Sequence, residues 1–151
     1  MNQVLDELWI GDLDDANNVA ALKAASITSV VNITPYTDHF VINGGTASTD
    51  FNYLQLNLLD GEAFSKEKIV KFLRFMFESR MYGQTVLIHC GAGVSRAPTF
   101  VICWLMFCGY TWDQGEAIVR AARPIIQPHY NLKKSVLEFF GKDWASIYRN
   151  T

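Results

Sequence analysis

Residues 85–106 read TVLIHCGAGVSRAPTFVICWLM. The opening TVLIH (85–89) is a short, nearly continuous apolar run, the pattern of a strand buried at the centre of a parallel sheet. Pro98 fits the first turn of a following helix, where a missing N–H loses no hydrogen bond. Between them lie Gly91, Ala92, Gly93, Val94 and Ser95, small residues that let the chain curl tightly. Strand, turn and helix therefore follow one another, with Cys90 just after the strand and Arg96 opening the helix.

The same alternation continues on both sides. Residues 8–10 read as an edge strand ended by Gly11, and Val19, Leu22 and Ala25 keep helical spacing within 17–25. Residues 27–33, rich in β-branched side chains, read as a buried strand, and 52–58 as a second. Ser65 can cap a helix that carries Ile69, Phe72, Leu73, Met76 and Phe77 as one apolar stripe and ends at Tyr82-Gly83. Further helices are expected over 113–122 and 131–140. Residues 35–50, with Asn43-Gly44-Gly45 and a Thr/Ser-rich tail, read as a long surface loop. Strands alternating with helices predict an α/β fold, a single sheet covered on both faces.

The 151 residues are about the length of one domain, and 1–151 is read as one. A chain of this size buries about two-thirds of its unfolded surface and needs no disulfide or metal to fold. Hydrophobic residues make up 50% and charged residues 19%, which excludes intrinsic disorder. A net charge of −2 offers no broad basic face for nucleic acid. The longest uncharged stretch, 97–112, has 16 residues, fewer than the ~20 that span a bilayer. Residues 1–14 carry acids and no basic segment before an apolar one, so they do not read as a signal peptide. Cys90, Cys103 and Cys108 show no CxxC or Cys/His metal spacing, so neither a disulfide framework nor a metal site is expected. That composition points to a reducing compartment, the cytoplasm or the nucleus. Cys103 and Cys108 fall in an apolar helix and read as core, which leaves Cys90 to be explained.

A turn with two glycines can aim successive backbone N–H groups at an anion, and the helix N-terminus adds partial positive charge. Arg96, six residues after Cys90, can fold back and grip two phosphate oxygens bidentately. The same field favours a thiolate at Cys90, placed for in-line attack on phosphorus. Phosphoryl transfer depends mostly on positioning and electrostatics, which Gly91, Ala92, Gly93, Val94, Ser95 and Arg96 can supply. His89 either orients this loop or is a satisfied strand residue. A thiolate of this kind is also open to reversible oxidation.

HCGAGVSR (89–96) matches the H-C-x-x-G-x-x-R signature of cysteine-dependent protein phosphatases. The chain resembles their dual-specificity branch over nearly its whole length, through residues 5–34, YLQLNLLD (53–60), 86–106 and 116–139. The resemblance implies a protein tyrosine phosphatase-like fold with a central, mostly parallel sheet flanked by helices. It implies hydrolysis of phosphotyrosine and phosphoserine/phosphothreonine in phosphoproteins through a phosphocysteine intermediate, with no cofactor. It also implies an Asp on a loop some 30 residues before the Cys as general acid. Asp60 occupies that place, 30 residues before Cys90, with Gly61 to give the loop mobility and Glu62 as the alternative. By the same resemblance residues 124–130 pass near the site rim, where His129 reads as a surface residue rather than a ligand.

One position departs from the family. Ala97 stands where Ser or Thr usually follows the signature Arg, and the missing hydroxyl would slow cleavage of the phosphoenzyme. A phosphatase-like module that binds phosphoproteins with little turnover is therefore a second reading. The neutral loop favours phosphoprotein over inositol lipid, though a non-protein phosphate ester also stays open. Thiol redox or sulfur transfer is disfavoured by the absence of CxxC and by the spacing of Asp60.

Overall fold

A computed structural model of the chain describes residues 1–36, 38 and 50–141. Among these, the strands are β1 (Asn2–Leu5), β2 (Leu8–Gly11), β3 (Ser29–Asn32), β4 (Asn52–Gln55) and β5 (Val86–His89). They form one sheet in the order β1-β2-β5-β3-β4. The apolar run at 85–89 thus becomes the central strand, parallel to β2 on one side and β3 on the other. β3 is parallel to β4, and the β1–β2 pair is antiparallel. The sheet is mostly parallel, as expected.

Residues 8–10 were expected at the sheet edge, but β2 lies one strand in. Asn2–Leu5 folds back on it through a tight turn in which Glu7 takes a φ of 64°. The side chains of β1, NQVL, alternate only between half-buried and exposed, too weak a pattern to read as a strand. The loop expected over 35–50 falls for the most part outside the described residues.

The helices are α1 (Leu13–Ala16), α2 (Val19–Ala24), α3 (Lys66–Met81), α4 (Arg96–Phe107), α5 (Trp112–Ala122) and α6 (Tyr130–Phe139). Period-two alternation divides the strand side chains between two cores. Val30 and Leu87 face Ala16 and Leu22 of α1 and α2. Ile10, Val31 and Ile88 face the larger core built with α3, α4, α5 and α6. Within it α4 is buried continuously from Ala97 to Leu105, which is why that stretch carries no charge. Phe72 of α3 meets Phe100 of α4 edge-on with ring centroids 5.0 Å apart. No described helix is long and apolar enough to cross a membrane.

Three local expectations are corrected. Ser65 is the N-cap of α3, but its side chain makes no capping hydrogen bond. Phe77 is 51% exposed. It lies about 80° around the helix from Ile69, at the margin of the stripe rather than within it. Cys103 is buried in the core, and that burial pushes its thiol well above the usual range. Cys108 is exposed, because α4 ends there and the chain turns away at Gly109.

Candidate active site

The loop after β5 sits at the carboxyl end of the central strand, where open α/β sheets form their crevices. Every carbonyl from Gly91 to Ser95 is bonded to a donor elsewhere. Leu13 N–H reaches Gly91 O at 3.0 Å, and Gln127 N–H reaches Val94 O at 2.6 Å. Arg123 donates from Nη2 to Ala92 O at 3.1 Å and from Nε to Gly93 O at 2.9 Å. Ser95 O accepts from the Thr99 hydroxyl at 2.8 Å. In a trans peptide the next N–H points opposite to the carbonyl. The N–H groups of Ala92 through Arg96 are therefore turned to the other side of the loop. Those of Ala92, Gly93, Val94 and Ser95 make no hydrogen bond to a described residue. The result is a row of backbone donors at the N-terminus of a long buried helix, a site for an oxyanion.

All of these but Gly93 border a cavity of about 580 Å³, which Gly91 does not line either. Cys90, Ala92, Val94, Ser95 and Arg96 line it from the loop, Asp60 from the β4–α3 connection, and residues 127–130 from the opposite rim. The structure thus brings together the three residues that the sequence singled out, and of the 124–130 segment it places 127–130 at the rim. Glu62 does not line the cavity. The Cys90 residue is 2% exposed. Arg96 folds back as anticipated, and its Nη2 lies 3.1 Å from where a Cβ on Gly91 would stand. Its Nη1 donates to Leu58 O at 3.0 Å, tying the guanidinium to the loop that carries Asp60. Gly61 serves a tight turn rather than a slack one, with a φ of 77°.

His89 does more than fill the strand. Its buried ring holds Asp38 Oδ2 at 2.8 Å through Nε2 and the Cys90 carbonyl at 3.2 Å through Nδ1. Tyr53 donates to the same Asp38 oxygen at 3.1 Å and accepts from Asn32 Nδ2 at 2.8 Å. Burial pushes the Tyr53 phenol up to about 12, so it remains a donor at any ordinary pH. Ala97 is fully buried in the first turn of α4.

Two residues of this construction went unread in the sequence. Asp38 lies in a stretch with no periodicity to mark it. Arg123 had a signal: it caps the C-terminus of α5 four residues after the buried Val119, on the helix's inward side, where an Arg must find partners.

The family model for the dual specificity phosphatase catalytic domain matches residues 8–142. The chain belongs to the dual specificity phosphatase family. Dual specificity protein phosphatase 22-A of Danio rerio is 31% identical over 141 residues, 92% of this chain and 64% of that relative. Dual specificity protein phosphatase 15 of Mus musculus is 28% identical over 148 residues, 97% of this chain and 59% of its own length. This chain therefore spans less than two thirds of these relatives. The crystal structure of DUSP15 matches with a TM-score of 0.83 at 25% identity, covering 98% of this chain and 92% of that one. Human DUSP28 has the same fold, with a TM-score of 0.84 at 17% identity over the whole of both chains.

Proposed function

We propose that this chain is a cysteine-dependent phosphoprotein phosphatase acting on phosphotyrosine and on phosphoserine or phosphothreonine. One observation carries the reading: Cys90, Arg96 and Asp60 line a single cavity beneath a loop whose carbonyls are all drawn outward. Phosphate oxygens bind the loop N–H groups and Arg96. The Cys90 thiolate attacks phosphorus, so that the S–P bond forms as the P–O bond breaks. Asp60 gives its proton to the departing oxygen. Water then attacks phosphorus, passes a proton to Asp60 and releases the thiolate with inorganic phosphate. The neutral loop side chains suit a phosphoprotein better than a polyphosphorylated lipid. Three free cysteines among the described residues support a reducing compartment, the cytoplasm or the nucleus.

Asp60→Asn tests the acid. General acid catalysis typically contributes 10²–10⁴-fold, and only a poor leaving group draws on it fully. Turnover of phenyl phosphate should fall about 100-fold, and that of a phosphate with an acidic phenol far less. An equal loss on both would remove Asp60 from the role.

Ala97 keeps a second reading open, capture of phosphoproteins with little turnover. With no hydroxyl at this position, breakdown of the phosphoenzyme should be slower than its formation. Rapid mixing with 4-nitrophenyl phosphate should give a burst close to one equivalent and then a slow steady state. Ala97→Ser should raise that steady state several-fold, and a linear time course would contradict the expectation. A chain with neither burst nor turnover on phosphopeptides would be the binding module instead.

A further inference from the structure

We propose that His129 is a positioning residue for the acid, clasping the Asp60-Gly61 turn onto the phosphate-binding loop, which rests on reading Asp60 as the general acid. His129 is the N-cap of α6, an uncommon residue there, and its Nδ1 accepts the Asn131 N–H at 3.1 Å. With Nδ1 committed as an acceptor, the neutral ring carries its proton on Nε2. That edge of the ring rests on Gly61. A Cβ built there would stand 3.1 Å from Nε2 and 3.2 Å from Cδ2, so the imidazole occupies the space a side chain would need.

Two further bonds complete the clasp. Asn131 Nδ2 donates to Gly61 O at 3.0 Å. The His129 backbone N–H donates to Ser95 Oγ at 2.9 Å. Contacts thus run from Ser95 through His129 to Gly61, the residue next to Asp60, and all but Gly61 border the cavity with Cys90. The loop is held elsewhere by Arg96 on Leu58 O and by Phe64, stacked on Phe100 at 5.0 Å. The His129 and Asn131 contacts are those beside the carboxylate. A displacement of about 1 Å in such a group can cost roughly 100-fold in rate. Only substrates that need the proton feel that loss.

The test measures kcat and KM for aryl phosphates graded from 4-nitrophenyl to phenyl phosphate, and for a phosphoserine peptide. The variants are His129→Ala, His129→Asn, Asn131→Ala and Asp60→Asn. Asn at 129 keeps a capping acceptor but removes the ring. Both His129 variants should lose about tenfold in kcat/KM on the poor leaving groups and under about twofold on 4-nitrophenyl phosphate. Inhibition by inorganic phosphate should stay unchanged. Asn131→Ala, at an exposed side chain, should lose about threefold in the same pattern. His129→Ala added to Asp60→Asn should cause no further loss.

Wild-type rates in His129→Asn would reduce the residue to a helix cap and overturn the proposal. So would losses equal across the series, or losses additive with Asp60→Asn. An Asp60→Asn variant unchanged on every substrate would overturn the acid assignment and this proposal together. A normal Asp60→Asn loss beside uniform His129 effects would overturn this proposal alone. If His129→Ala fails to fold, the same criteria apply to His129→Asn and Asn131→Ala.

Discussion

Cys90→Ser is expected to lower hydrolysis of 4-nitrophenyl phosphate by at least about 10⁴-fold while a phosphotyrosyl peptide still binds. The two effects separate because different atoms serve them. Binding draws on the loop N–H groups, the α4 N-terminus and Arg96, none of which involves Sγ. Attack draws on the thiolate, and a serine hydroxyl is far too weak an acid to replace it at neutral pH. The substitution is nearly isosteric in a site where Cys90 is 2% exposed, so the fold should hold. Calorimetry with the peptide should give an affinity within a few-fold of the wild type's ground-state binding. Arg96→Ala in the same background should abolish that binding. Retention of a tenth of the wild-type rate in Cys90→Ser would exclude Cys90 as nucleophile. The same inactive variant, used as bait on a phosphopeptide array, would then report which phosphoproteins the site accepts.

The central strand and the loop after it were legible because their signals are local. TVLIH has the composition of a strand with no solvent face, and that strand lies at the middle of the sheet. The small residues of 91–95 and the placement of Arg96 announce an anion site without knowledge of distant contacts. β1 was not legible, since Asn2 and Gln3 owe their strand conformation to pairing with β2 and not to their own preference. Cys108 was misread because it shares the apolar composition of α4 but falls where the helix reaches the surface. The site shows the same division. Its reacting groups cluster in one stretch plus Asp60, and residue chemistry exposes them. Arg123, Asp38, Tyr53 and His129 act by reaching across the fold, from 15 to 51 residues away for the Asp38 contacts and 30 or more for those of Arg123. No pattern within a short window encodes such a meeting.

Arg123→Met should produce the largest loss of stability. Met preserves much of the aliphatic stem and removes only the guanidinium, which is itself nearly buried. The carbonyls of Ala92 and Gly93 then lose their donors. An orphaned buried polar group costs about 1–3 kcal/mol, so the buried Gly93 carbonyl, with a smaller loss at the exposed Ala92, brings the cost to about 3 kcal/mol. For a domain of this size each kcal/mol is worth about 2–4 °C, which gives a fall in Tm of about 6–12 °C. The loss should extend to the site. Without Arg123 those two peptides are free to rotate, and a rotated peptide presents an oxygen where an oxyanion needs an N–H. Saturating inorganic phosphate at about 100 Kd should stabilise the wild type by about 2.7 kcal/mol, and the variant by much less. Arg123→Lys should recover part of the Tm, because an ammonium reaches one carbonyl but cannot fork to two. Gly93 closes the same contact from the other side. Its φ is 68°, and a Cβ there would fall 2.7 Å from both Arg123 Nη2 and Gly11 O. Gly93→Ala should therefore weaken phosphate stabilisation in the same way. An Arg123→Met protein with unchanged Tm and an unchanged response to phosphate would show that the loop holds its shape without this arginine.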